Sequence, residues 1–164
     1  MKTLTILRHA KSSWNHPELT DHDRPLNKRG ERDAPVMGDR LMAAGIRPSL
    51  IVSSTAVRAW TTAKIVAKQI SYPLEFLQRE RDLYHAGVNG LLDVIARQDD
   101  GFNSIVVVGH NPGMTDFANS LVPGLTSNVP TAGFVAVSVD SDDWNLRERG
   151  GCELIEYNYP KKKV

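Results

Sequence analysis

Three short stretches of this chain are apolar almost without interruption: Thr3 to Leu7, Leu50 to Ser53, and Ile105 to Gly109, the last holding the β-branched run Ile105-Val106-Val107-Val108. A strand with one wet face alternates apolar and polar residues, so continuous runs of this length predict strands buried on both faces. Between them lie helical patterns. Val57, Trp60, Ala63, Val66, Ala67 and Ile70 recur at spacings of three and four, as do Ala34, Met37, Leu41 and Ala44, which is the period of a helix with one apolar stripe. Pro35 falls inside the second pattern and is expected to start or kink that helix, because it lacks an N–H and crowds the preceding turn. A further helical segment covers Gly90 to Arg97, and another is expected to begin at Pro112, where proline suits the first helical position. Gly133 to Val139 and roughly Trp144 to Tyr157 read as strands joined through a hairpin-like turn at Asp140-Ser141-Asp142-Asp143. Alternation of strand and helix predicts a three-layer α/β/α sandwich: a mostly parallel central sheet with an antiparallel edge near the C-terminal end.

Composition narrows the class without changing this picture. A length of 164 residues suits a single domain over 1–164. Hydrophobic residues at 41% and charged residues at 24% are ordinary globular values, which disfavours disordered, collagen-like and coiled-coil chains. Twenty Lys and Arg against nineteen Asp and Glu leave a formal charge of +1, so no overall field favours nucleic acid or an anionic membrane. The single cysteine, Cys152, excludes an internal disulfide and a cysteine-based zinc cage and reads as a passive strand residue. The first residues are interrupted by Thr3 and Thr5 and run into Arg8, His9 and Lys11, so neither a signal peptide nor a membrane span is expected and the expected location is cytoplasmic. The Lys161-Lys162-Lys163 run reads as a solvated chain end.

The candidate chemistry lies where the strands stop. Ligands of open α/β sheets gather at the carboxyl ends of parallel strands. Past the first strand come Arg8 and His9, past the second Ser53-Ser54-Thr55-Ala56-Val57-Arg58, and past the third Gly109-His110-Asn111-Pro112. Taken singly, such a histidine is more often structural and such an arginine more often solvated. Together they converge two arginines and two histidines on one rim, and Arg58 stands in a first helical turn, where the helix dipole disfavours a cation. Two helix N-termini, near Thr55 and Asn111, add unpaired N–H groups. The guest that fits is a compact oxyanion such as phosphate. No Walker loop or GxGxxG stretch supports a nucleotide's phosphate chain. His9 then supplies a nucleophile: a neutral imidazole that attacks phosphorus and carries the phosphoryl group between two easier steps. Neighbouring arginines should push its pKa down, and His110 can donate to the equatorial oxygens in the transition state.

These residues resemble the histidine phosphatase superfamily, also called phosphoglycerate mutase-like. Leu7-Arg8-His9-Ala10, Ser53-Ser54 with Arg58, and Gly109-His110 carry the likeness in order along most of the chain. More narrowly, Arg8-His9-Ala10-Lys11-Ser12-Ser13-Trp14, Asp23-Arg24-Pro25-Leu26-Asn27 with Gly30, Leu83-Tyr84-His85-Ala86 and Gly109-His110-Asn111-Pro112 look like the short SixA-type phosphohistidine phosphatases. The resemblance implies a phosphoglycerate mutase-like fold, His9 as nucleophile, and Arg8, Arg58 and His110 as the phosphate pocket, with Arg24 a further phosphate contact. No cofactor is expected, and a reading of the five histidines as metal ligands is disfavoured because the arginines beside His9 and His110 would repel a divalent cation and no cysteine or well-placed carboxylate completes a site. The expected substrate is a phosphorylated protein such as a histidine-containing phosphotransfer domain.

Larger relatives place a glutamate or aspartate mid-chain to protonate the leaving oxygen. Here the corresponding stretch reads Glu80-Arg81-Asp82-Leu83-Tyr84-His85, which offers Asp82 and His85 as candidate acids, each with an equally plain surface reading. A missing acid favours a P–N substrate, because an imidazole leaves phosphorus with less help than an alkoxide. The short chain also leaves little room for an insertion roofing the site; Asn15 to Asp23, with His16 and His22, and Tyr84 to Asn89 are the expected walls, with Trp14 either at the rim or buried. Three alternatives stay open: a broad small-molecule phosphomonoesterase, a mutase, and a phosphate-binding module without turnover. Oligomeric state is not specified by the sequence.

Overall fold

The computed structural model describes residues 1–163. Six strands form one sheet: β1 (Lys2–Arg8), β2 (Leu50–Ser53), β3 (Gln78–Arg79), β4 (Ser104–Gly109), β5 (Phe134–Val139) and β6 (Cys152–Asn158). Their spatial order is β3-β2-β4-β1-β5-β6. The pairs β3·β2, β2·β4 and β4·β1 are parallel, whereas β5 runs antiparallel to both β1 and β6. This is the expected mostly parallel sheet with an antiparallel edge.

Four helices cover the two faces: α1 (Lys28–Ala43), α2 (Val57–Gln69), α3 (Val88–Ala96) and α4 (Gly113–Leu121). The run Ile105 to Val108 divides its side chains between two cores. Ile105 and Val107 pack with Leu91, Val94, Phe117 and Leu121 of α3 and α4, while Val106 and Val108 pack with Met37, Leu41, Ala63 and Val66 of α1 and α2. That two-sided burial is why the run is apolar at every position.

Three expectations need correction. Pro35 does not start its helix; it lies inside α1, which begins at Lys28 behind an Asn27 cap whose side chain accepts from the Gly30 N–H at 2.9 Å. The hydrogen bond that Pro35 cannot make would have reached the carbonyl of Glu31, an exposed residue, where water can take its place. The last strand is Cys152–Asn158 and not Trp144 to Tyr157, and a long excursion replaces the hairpin-like turn. Trp144 is fully buried and its Nε1 donates to the Phe102 carbonyl at 2.9 Å, so its apolar character reflects a plug in the α3/α4 core and not a strand. Finally, Lys162 folds back on β6, its Nζ donating to the Tyr157 carbonyl at 2.6 Å.

Register places the functional rim. Arg8 pairs with Gly109 across β1 and β4, and Ser53 with Val108 across β2 and β4, so the three parallel strands end level. Because β5 runs the other way, its start is at the same rim: Leu7 pairs with Phe134, and the Arg8 N–H donates to the Gly133 carbonyl at 2.9 Å.

Candidate active site

The rim holds a cavity of about 210 Å³ lined by Arg8, His9, Lys11, Ser12, Trp14, Arg24, Arg58, His85, His110, Asn111 and Thr131. His9 is the first residue beyond β1. Its N–H donates to the Gly109 carbonyl and its carbonyl accepts from the Ala132 N–H, both at 3.0 Å, so its backbone is held from both sides. Its Nδ1 lies 2.7 Å from the Ala10 carbonyl oxygen. A carbonyl only accepts, so the proton sits on Nδ1 and the lone pair on Nε2. Burial pushes the His9 pKa down to about 3, with Arg58, Arg8 and Arg24 acting in the same direction and the Ala10 bond opposing them. His9 is therefore a neutral imidazole with a free Nε2 throughout the physiological range.

His110 stands 5.2 Å from His9 between ring centres. Its Nε2 is 2.7 Å from Ser54 Oγ, which itself accepts from the Ala56 N–H. Among the described residues Nε2 is the one acceptor within reach of the Ser54 hydroxyl, so Ser54 donates to it and the proton of His110 lies on Nδ1. Burial brings this imidazole also to about 3, helped by His9, Arg58 and His85 and opposed by Asp21. The buried Nδ1 of His110 has no protein partner, and neither have the buried Nε groups of Arg8 and Arg58. Orphaned buried donors are costly, and these three belong to cationic or imidazole residues that line one cavity.

Both walls are pinned by close backbone approaches. A Cβ at Gly30 would meet the Lys11 carbonyl oxygen 2.2 Å away, so only glycine lets α1 abut the loop that follows His9. The Asn27 N–H donates to that same carbonyl at 3.0 Å, and the Ser13 N–H donates to the Pro25 carbonyl at 2.8 Å. On the opposite wall, a Cβ at Gly113 would lie 2.0 Å from the Ala86 carbonyl oxygen, so the start of α4 holds the segment containing His85. His85 itself has φ 57°, a left-handed conformation that costs a non-glycine residue and is found where surrounding structure enforces it.

Asp21, which the sequence reading did not single out, organises the arginines. Its Oδ2 accepts from Arg58 Nη2 at 3.1 Å and from the Tyr84 hydroxyl at 2.6 Å, its Oδ1 accepts from Arg24 Nε at 3.2 Å, and its backbone carbonyl accepts from Arg58 Nη1 at 2.7 Å. His85 Nε2 lies 3.4 Å from the same carboxylate. The Tyr84 hydroxyl first, then Arg58 and Arg24, hold the Asp21 carboxyl well below the usual carboxylate range. It is a fixed anion that offsets the cation Arg58 in the first turn of α2. The run Asp21-His22-Asp23-Arg24 carries the only sequence hint, and Asp23 looks equally suitable there.

All four residues expected to form the pocket, Arg8, His9, Arg58 and His110, line the cavity, and so does Arg24. Arg24 is buried, with Nη1 donating to the Ser13 carbonyl at 3.3 Å and its guanidinium 3.5 Å from the Trp14 ring centre. The two candidate acids separate: His85 lines the cavity, whereas Asp82 faces away, 3.1 Å from Arg97 Nη2. Of the two expected walls, the segment from Tyr84 to Asn89 contributes His85 to the lining, whereas none of Asn15 to Asp23 lines the cavity: His22 bonds Thr55 Oγ1 at 2.9 Å and His16 pairs with Glu18. The sequence profile of the histidine phosphatase superfamily (branch 1) matches residues 4–103.

The chain belongs to that superfamily. Among its relatives, an uncharacterized chloroplastic protein of Arabidopsis thaliana is 31% identical over 93% of this chain and 75% of its own length. An uncharacterized protein of Mycobacterium tuberculosis is 30% identical over 94% of this chain and all of its own. Among solved structures, an Agrobacterium tumefaciens protein carrying the name phosphohistidine phosphatase SixA superposes with a TM-score of 0.82 at 28% identity, covering 97% of this chain and 98% of that one. Histidine phosphatase folds accept many substrates, so the substrate has to be argued from the site.

The two histidines of this superfamily site also make stability depend on pH. Each has a folded pKa near 3 against about 6.5 unfolded. The unfolded chain therefore binds more protons between those values, and stability falls as pH drops below 6.5, by up to about 1.4 kcal/mol per pH unit per histidine. Urea unfolding from pH 7 to 5 should show this slope, and it should largely vanish in the His9→Ala/His110→Ala double variant; an unchanged slope there would refute the assignment.

Proposed function

We propose that this histidine phosphatase removes phosphoryl groups from phosphohistidine on proteins, such as histidine-containing phosphotransfer domains, without a metal ion. The observation that carries this reading is the cavity lining: among the described residues it holds arginine, lysine and histidine but no carboxyl group, and the nearby Asp21 is held ionised. A phosphoserine or sugar phosphate leaves as an alkoxide and needs an acid, whereas imidazole is a far weaker base and a better leaving group. His9 Nε2 attacks phosphorus and forms a new P–N bond. The substrate's ring, protonated from solvent on its other nitrogen, departs as neutral imidazole: its P–N bond breaks and the ring nitrogen keeps the electron pair. Water then attacks phospho-His9, releasing inorganic phosphate and neutral His9. Arg8, Arg24, Arg58 and the Nδ1–H of His110 carry the phosphoryl charge through both steps. The cavity is smaller than typical pockets of about 300 Å³ or more for whole small molecules, which suits a substrate whose bulk stays outside. The name of the Agrobacterium tumefaciens neighbour points the same way.

One observation favours a phosphomonoesterase instead: His85 lines the cavity and stands 3.4 Å from Asp21, where an imidazolium could protonate an alkoxide. Turnover of a phosphorylated phosphotransfer domain, a phosphoserine peptide and a sugar phosphate, each in EDTA, separates the readings. The expected result is dominant phosphohistidine turnover, lowered less than about tenfold by His85→Ala; an obligatory acid would cost about 10²- to 10⁴-fold. Rapid phosphoserine turnover with phosphohistidine untouched would establish the esterase reading.

A further inference from the structure

Trp14 is 73% exposed at the rim of the cavity. The other two tryptophans are covered wholly or in part, so this is the one large indole presented to water. It is nevertheless held in place. The Arg24 guanidinium lies 3.5 Å from the ring centre, and Arg24 is only 8% exposed, tied to Asp21 Oδ1 and the Ser13 carbonyl. The adjoining residues are fixed by the Ser12–Leu26 bridge and the bond from Ser13 to Pro25. One indole face is thus spent on a buried cation, and the remainder is a rigid aromatic surface beside the phosphoryl site. What sets this indole apart from an ordinary exposed side chain is that it is held rigid on a buried cation at the edge of the cavity.

The direction of attack says what that ligand is. In-line transfer to His9 places the leaving group on the far side of phosphorus from Nε2, toward the cavity mouth that Trp14 borders. We propose that Trp14 is the platform on which the imidazole ring of the substrate's phosphohistidine stacks as it leaves. This rests on the phosphohistidine reading above and adds a selection for planar aromatic leaving groups over aliphatic ones. Offset stacking orients the ring so that its P–N bond points at His9, and it is insensitive to the surrounding protein sequence because it reads only a π face.

Phosphoramidate has the same P–N bond and no ring, so it separates the platform from the phosphate pocket. Expected for Trp14→Ala is a loss in kcat/KM about tenfold larger on a phosphohistidine peptide than on phosphoramidate, the loss common to both substrates measuring the support that Trp14 gives Arg24. Trp14→Phe should recover most of the difference. Equal losses on both substrates would reduce Trp14 to a support for Arg24 and overturn the inference, as would full phosphohistidine activity in Trp14→Ala. Wild-type protein inert toward phosphohistidine would instead overturn the functional reading and the platform with it.

Discussion

His9→Ala is expected to abolish turnover while the protein still binds phosphate. The loss expected in kcat is about 10⁴-fold or more, because the variant has no nitrogen to carry the phosphoryl group and the cavity lining offers no other neutral imidazole so oriented. His110 cannot substitute: its Nε2 is engaged by Ser54 and its Nδ1 carries the proton. On the proposed mechanism phosphate is held by the donors of Arg8, Arg24, Arg58 and His110, which the substitution leaves in place, so the dissociation constant should change less than about tenfold. Titration calorimetry with inorganic phosphate measures the second quantity. Incubation with a ³²P-labelled phosphotransfer domain measures the first, and label trapped on wild-type protein should map to His9 and be absent from the variant. Comparable hydrolysis by His9→Ala would refute the covalent mechanism.

The second large effect is at Arg58. Arg58→Ala should lower kcat/KM by about 10²- to 10³-fold, the range for losing a preorganised donor to the transition state. Arg58→Lys should recover little. A lysine is a point charge that cannot reproduce the guanidinium fork now bonded at Nη1 to the Asp21 carbonyl and at Nη2 to its carboxylate. Asp21→Asn is the informative companion. It keeps the Arg58 cation and loses the anion that orients it and Arg24, so a smaller loss of about tenfold is expected, with phosphate binding equal to or tighter than wild type because a competing negative charge is gone. If Asp21→Asn proved as damaging as Arg58→Ala, Asp21 would have to act on the substrate directly, against its place behind the arginines.

Much of the site is legible because it is written into strand ends. Continuous apolar runs locate β1, β2 and β4, and parallel pairing forces their carboxyl ends onto one rim; Arg8, His9, Arg58 and His110 follow from where the runs stop. The same reasoning fails wherever a residue's role depends on a partner distant in sequence. Asp21 acts through Arg58, 37 residues away, and Tyr84, 63 away, and no local pattern distinguishes it from Asp23. Asp82 and His85 looked alike as candidate acids, yet one faces Arg97 and the other the cavity. β3 is too short, at Gln78–Arg79, to leave any periodicity, and the apolar Trp144 mimicked a strand it only supports.

What the sequence alone determined is the layered α/β architecture and the chemical character of the rim, since both follow from burial periodicity and residue type over short distances. What only the tertiary structure decided is protonation and orientation: which nitrogen of His9 is free, which carboxylate is kept ionised, and which face of Trp14 is open. Those depend on contacts a few ångströms long between segments that the chain brings together only when both cores have formed, and hydrogen bonds and desolvation act over just that range.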